Sequence, residues 1–238
     1  MKRILIPIPN QDFDLTEVAV PWKLFKNKGY DVIFATENGS RGYCDPKLIT
    51  GVIFGQLGAS SEAIGYYREL EKEEHFLHPM PFTLIEPAAF DLLLLPGGHA
   101  QGMKPYLENK ILQQKVLAFF QQDKLVGSIC HGCIVLSRTL DPSTGQSVIR
   151  HKKITALTKF LERTGYWLTA WKLGRYYRTY PAYVQDEVKA ALQRPADFIT
   201  GGSPFKPFVC VDGNLVTARW PKDAFLFAET LIQKLEHN

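Results

Sequence analysis

The sequence predicts an α/β fold built on a mostly parallel sheet, and three observations predict it. First, KRILIPIP, DLTEVAVPWKLFKNKGY and DVIFAT follow one another as a strand, a stretch with apolar residues at helical spacing, and a second strand. A β-α-β unit of this kind builds parallel sheets. Second, FDLLLLPGG is continuously apolar, the pattern of a strand buried on both faces. Third, LVGSI runs directly into CHGCIVLSRTL, a strand into a helix.

The remaining elements keep this alternation. Gly29 closes the first helix as a C-cap candidate. NKILQQKVLAFFQQDK is an amphipathic helix between the two apolar strands. KKITAL reads as a further strand. FVCVDGNLVTARW reads as two strands around an Asp-Gly-Asn turn, and DAFLFAETLIQKL as the closing helix. Two stretches break the rhythm, Gly51 to Pro87 and Glu162 to Pro195. They are read as insertions, at about 51–87 and 162–195, that decorate a single domain spanning 1–238. No internal repeat or interdomain linker is evident.

Length and composition narrow the class. At 238 residues the chain is one domain with room for insertions, since domains run to roughly 100–200 residues. Its 45% hydrophobic and 22% charged residues exclude a disordered chain, a fibre and a coiled coil. The longest apolar runs fall far short of the ~20 residues that span a bilayer, so no membrane partner is expected. The opening MKRILIPIPN is broken by prolines and reads as a first strand, not a signal peptide, which makes the cytoplasm the expected address. A net charge of +4 is too small to imply nucleic acid. The four cysteines, Cys44, Cys130, Cys133 and Cys210, are expected to be reduced.

In open α/β sheets, ligands bind outside the carboxyl ends of the strands. Three places there carry chemistry. Cys130 sits at the joint of LVGSI and the following helix, flanked by Gly127 and Gly132. A tight strand-to-helix turn lifts one side chain into a site, and a helix N-terminus favours the thiolate. His131 follows as a candidate base. Gly97 and Gly98 end the buried strand, where backbone N–H groups can approach a ligand as an oxyanion hole requires, and His99 could line the same pocket. Glu17 lies in the first turn of the first helix and could share a proton with Cys130. Each has a plainer reading: a buried small residue, a tight turn, and a carboxylate that suits a helix dipole. Cys130 and Cys133 also form a C-x-x-C, which leaves a redox dithiol open. With no second C-x-x-C and no spaced His pair, no metal is expected.

Taken together, Glu17 four residues before Pro21, the strand ending Pro96-Gly97-Gly98, and Ser128-Ile129-Cys130-His131-Gly132 resemble the ThiJ/PfpI superfamily, the class I glutamine amidotransferase-like fold. DGNLVTARWP and its helix add to the match. The length and the first insertion look like the larger branch that holds heat-shock chaperones and glutathione-independent glyoxalases. The resemblance implies a flavodoxin-like three-layer sandwich with helical insertions and a homodimer. It implies Cys130 as nucleophile, His131 beside it, Glu17 hydrogen-bonded to the thiol, and oxyanion donors near Gly98 and His131. Glutamine amidotransferases add a C-terminal His-x-Glu pair, which this chain lacks. The larger branch tends to carry an acidic residue just after the strand that follows the nucleophile helix. Here the nearest carboxylate is Glu162: either it is the third member of the site or that member is absent.

The expected activity is cysteine-dependent chemistry on a small carbonyl compound, glyoxalase- or deglycase-like, through a hemithioacetal on Cys130 and without glutathione or another cofactor. A peptidase or amidase acting on an amide substrate is the alternative within the fold. A holdase chaperone or an oxidative-stress sensor is the alternative from another class. The stretch ERTGYWLTAWKLGRYYRTYPAYVQDEV is aromatic and basic. Trp167 and Trp171 are i,i+4 and share a helix face. The segment is read as a lid or a dimer wall, ahead of an anionic substrate pocket. A nucleic-acid surface comes last, because no nucleic-acid motif accompanies it.

Overall fold

The computed structural model describes residues 1–52 and 58–237. Seven strands form the central sheet: β1 (Arg3–Pro7), β2 (Asp31–Thr36), β3 (Met80–Pro81), β4 (Leu92–Leu95), β5 (Leu125–Ile129), β6 (Val209–Asp212) and β7 (Leu215–Ala218). Their order across the sheet is β6-β7-β5-β4-β1-β2-β3. Every neighbouring pair is parallel except β6 and β7. The chain builds outward from β1 to β3 on one side, then returns to β4 on the other. The direction reverses between β1 and β4, and such a switch point opens a crevice at the strands' carboxyl ends.

Helices cover both faces. On one, α1 (Leu15–Asn27) packs against α2 (Ser61–Leu70) and α7 (Ala224–His237). On the other, α3 (Lys110–Gln121), α4 (Gly132–Arg138) and α6 (Val184–Ala191) pack in turn, and α5 (Lys159–Leu173) leans on α6. All four leucines of β4 are buried, as its unbroken apolar run requires. Each fully buried leucine stabilises the sheet by about 1.5–3 kcal/mol. No helix among the described residues is long and apolar enough to cross a membrane.

Local signals account for the helix starts. Asp14 caps α1 by accepting from the N–H groups of Thr16 and Glu17, and Gly29, just past the C-cap Lys28, takes φ +73°. Between β6 and β7, Gly213 takes φ +60° in a two-residue turn.

Two expectations change. KKITAL is not a sheet strand: only Ile154 makes a bridge, to Phe198. The edge it would need is filled, because β7 pairs with β5 on one side and β6 on the other. Thr155 instead donates its N–H to the Thr217 side chain at 2.9 Å. The stretch from Gly51 to Pro87 does more than decorate, since it supplies α2 and the edge strand β3. Residues 53–57 of that stretch lie outside the described residues.

Candidate active site

Cys130 stands between β5 and α4 with φ +58°, a conformation that residues other than Gly, Asn and Asp rarely hold. Such strain persists only where the surroundings over-determine it, and here they do. The Cys130 N–H is held by the Ala218 carbonyl at 3.1 Å. Gly132 lets α4 press on β4, since a Cβ there would meet the Leu95 carbonyl oxygen at 2.2 Å. A Cβ on Gly97 would meet the His131 N at 2.6 Å, and Cys130 Cβ and Glu17 Oε2 each at 3.0 Å. The ends of β4 and β5 and the first turn of α1 therefore converge on one point.

Glu17 is fully buried there. Its Oε2 accepts the Gly97 N–H at 2.8 Å, while Oε1 has no nitrogen or oxygen partner among the described residues. The Cys130 thiol is its neighbour. Burial, reinforced by Asp14, pushes the Glu17 carboxyl well above the ordinary carboxylate range, which favours its protonated form. Burial likewise raises the Cys130 thiol, against the pull of the His131 N–H.

On the other side of the sulfur, His131 Nδ1 lies 3.6 Å from Cys130 Sγ. Its Nε2 lies 3.4 Å from Thr179 Oγ1, and that hydroxyl donates to the His99 carbonyl at 2.7 Å. A hydroxyl that spends its proton on a carbonyl offers His131 only lone pairs. Nε2 must then carry the ring hydrogen, which leaves the Nδ1 lone pair facing the thiol. Burial lowers the His131 pKa well below its usual value, with His99 and Arg178 adding to the effect, so the ring is neutral.

Glu162 does not orient His131. Its carboxylate accepts from Arg178 Nη1 at 2.9 Å and from the Val184 N–H at 2.9 Å. It holds the residue next to Thr179, not the imidazole. Of the candidate oxyanion groups, the Gly97 N–H is spent on Glu17, whereas Gly98 packs beneath Asp12, whose carbonyl oxygen a Cβ would meet at 2.4 Å. His99 stacks edge-on against His131 and Tyr177, with ring centroids 4.9 and 6.2 Å apart. One ligand atom from each of His99, Cys130 and His131 lies within 4.8 Å of the others, so these three could hold a metal. Cys133 turns its S–H to the Thr155 carbonyl at 3.5 Å, and burial pushes its thiol up to about 12.

Two groups at the site carried no usable sequence signal, Thr179 and Asp45, whereas Tyr177 lies in the aromatic segment read as a lid or a dimer wall. Asp45 accepts from the Tyr176 and Tyr177 hydroxyls at 3.0 and 2.7 Å and so ties residues 176–179 over the site. These tyrosines are the aromatic cover. Trp167 and Trp171 are not, being 66% and 68% exposed on α5.

A family model described as ThiJ/PfpI family-like matches residues 8–203. The chain belongs to this family. The ThiJ/PfpI-like chain is 25% identical to Glyoxalase 3 of Candida albicans over 94% of its own length and 89% of the relative's. It is 25% identical to the glutathione-independent glyoxalase hsp3102 of Schizosaccharomyces pombe, over 95% and 90% of the two chains. The crystal structure of glyoxalase III from Candida albicans superposes with a TM-score of 0.75 at 23% identity, covering 100% of this chain and 98% of that one.

Proposed function

We propose that this protein converts small 2-oxoaldehydes to 2-hydroxy acids without glutathione, with Cys130 as nucleophile. The observation that carries the reading is the strained Cys130, set between the open oxygen of Glu17 and the Nδ1 lone pair of His131. The relatives named glyoxalases support it.

The groups suffice for a balanced reaction. Cys130 Sγ adds to the aldehyde carbon as its proton passes to His131 Nδ1. Glu17 protonates the new alkoxide, giving a hemithioacetal. The Glu17 carboxylate then takes the hydrogen from that carbon, and the bond pair forms a C=C with the ketone carbon. The ketone oxygen receives the proton from His131. Glu17 returns its proton to the former ketone carbon, and the hydroxyl next to sulfur loses its own to His131, leaving a thioester. Water, deprotonated by Glu17, attacks the thioester. The thiolate leaves and is reprotonated by His131. One carbon is oxidised and its neighbour reduced, so no external electron acceptor enters. General acid–base and covalent steps of this kind are ordinary roles for these side chains. Anchoring Glu17 through Oε2 keeps Oε1 aimed at both carbons in turn.

An amidase would need a stronger acid for its leaving group. The hydroxyl partner of His131 suits it less than a carboxylate would.

The test is incubation of the purified protein with methylglyoxal in the absence of glutathione, beside Cys130→Ala. Lactate from the wild type alone is expected. Equal lactate from both proteins, or none from either, overturns the proposal.

A further inference from the structure

We infer that His99, Cys130 and His131 form a binding site for a thiophilic divalent cation of the Zn²⁺ type, and that the cation inhibits the enzyme by capturing the nucleophile. The inhibitory half rests on the reading of Cys130 given above, whereas the binding half does not.

The donor set is one thiolate and two imidazoles, the borderline-soft combination that zinc prefers and that hard cations such as Mg²⁺ do not. The spacing fits. Bonds of about 2.3 Å to sulfur and 2.0–2.1 Å to nitrogen, at a tetrahedral angle, separate the two donors by about 3.6 Å. Cys130 Sγ and His131 Nδ1 are 3.6 Å apart. No pair among the three donors is farther apart than 4.8 Å. Rotation of the His99 side chain closes what remains. No hydrogen bond to either ring nitrogen opposes that rotation among the described residues, and its edge contacts are with His131, itself a ligand, and Tyr177.

The surroundings are arranged as metal sites require. A ligating imidazole normally donates its second ring N–H to an acceptor, which fixes its orientation. The Thr179 hydroxyl provides that acceptor at His131 Nε2. Arg178, the nearby cation, is neutralised by Glu162. Three protein donors leave one tetrahedral position without a protein ligand, as in catalytic zinc sites. Binding displaces one proton, from the Cys130 thiol to the buffer, and forms a metal–sulfur bond with no change of oxidation state.

Co²⁺ is the probe, because its sulfur-to-metal charge-transfer band reports thiolate ligation without any turnover. Metal-free wild type is titrated with Co²⁺, and Zn²⁺ is then added to displace it. The expected result is a charge-transfer band saturating at one equivalent, visible bands of tetrahedral intensity, and loss of both on adding Zn²⁺. The charge-transfer band is absent in Cys130→Ala and Cys130→Ser. Binding to His99→Ala weakens at least about tenfold, the scale on which lost metal-site partners act. Circular dichroism establishes that each variant is folded. No band in the wild type, or a band that persists in the Cys130 variants or is unchanged in His99→Ala, overturns the inference. A band that behaves as expected while Zn²⁺ leaves lactate formation unchanged overturns the inhibitory half. Failure of the glyoxalase assay leaves the cobalt result standing, so the two readings fail separately.

Discussion

Cys130, Glu17 and Gly97 on one side, and residues 158–184 on the other, contribute to the same site by opposite means. The first group sits where strands end and a helix begins, and backbone geometry fixes each side chain. Cys130 is held by the Ala218 carbonyl, Glu17 by the Gly97 N–H. The second group is tied down by side chains. Arg178 is held by Glu162, Tyr176 and Tyr177 by Asp45, and Thr179 by a backbone carbonyl. The frame therefore supplies the reacting atoms, and the added segment sets how they are oriented. Substitutions in the frame should remove chemistry with little loss of stability. Substitutions in the segment should cost stability first and chemistry second.

The largest effect short of removing the thiol is expected at Glu17. In Glu17→Gln the amide oxygen still accepts the Gly97 N–H, but no proton can shuttle. Turnover should fall by about 10²- to 10⁴-fold, the usual worth of a positioned acid–base group. Stability should move the other way with pH. The native carboxyl is raised above its ordinary 4.5, so the unfolded chain gives up its proton first as pH increases. The contribution of Glu17 to wild-type stability is thus complete below about pH 4.5 and is lost as pH rises toward the folded pKa. Melting temperatures of wild type and Glu17→Gln, measured from pH 4 to 8, should diverge in favour of the variant. Parallel curves would mean that Glu17 is ionised in the native state and that the frame is electrostatically ordinary.

Next in size is Glu162→Ala. It strips the partner from Arg178, whose side chain is only 11% exposed. Removing one member of a buried pair costs about 3–5 kcal/mol. Denaturant unfolding should show that loss, and turnover per folded molecule should fall because Arg178 precedes Thr179. A large loss of stability with unchanged turnover would reduce the segment to a passive cover.

The same division explains what could be read from sequence. Periodicity and apolar runs mark β1, β2, β4, β5, α1 and α7, because burial writes itself into local pattern. Cys130 and Gly97 are legible for the same reason: a turn that tight needs glycine beside it, and the glycines are adjacent in the chain. Whether Glu162 or nothing orients His131 could not be read, since nearness in sequence to a strand end does not say which way a helix turns its side chain, and Glu162 turns to Arg178 and Val184. Thr179 was invisible. A threonine 48 positions from His131 carries no periodicity and no charge, and it is brought close by contacts from Asp45, Glu162 and the His99 carbonyl, all distant in the chain. KKITAL failed as a strand because a sheet edge can be occupied by a later segment. Local propensity does not register such competition.

The smallest expected effect is the most specific. Thr179→Val keeps the shape of the side chain and removes the acceptor for His131 Nε2–H. A buried donor left unpaired costs about 1–3 kcal/mol, which here falls on one tautomer of a ring that can choose the other. The ring then turns its hydrogen toward Cys130 in part of the population and cannot take the thiol proton. Turnover should drop about tenfold, the rate equivalent of roughly 1.4 kcal/mol, with little change in KM, and Thr179→Ser should restore it. The acid limb of the pH–rate profile should stay in place. What keeps His131 neutral is burial, with His99 and Arg178 adding to it, and none of these is touched by the substitution. A limb that moves upward with Thr179→Val would show that water enters and resolvates the imidazole. The hydroxyl would then be sealing the site, not setting a tautomer.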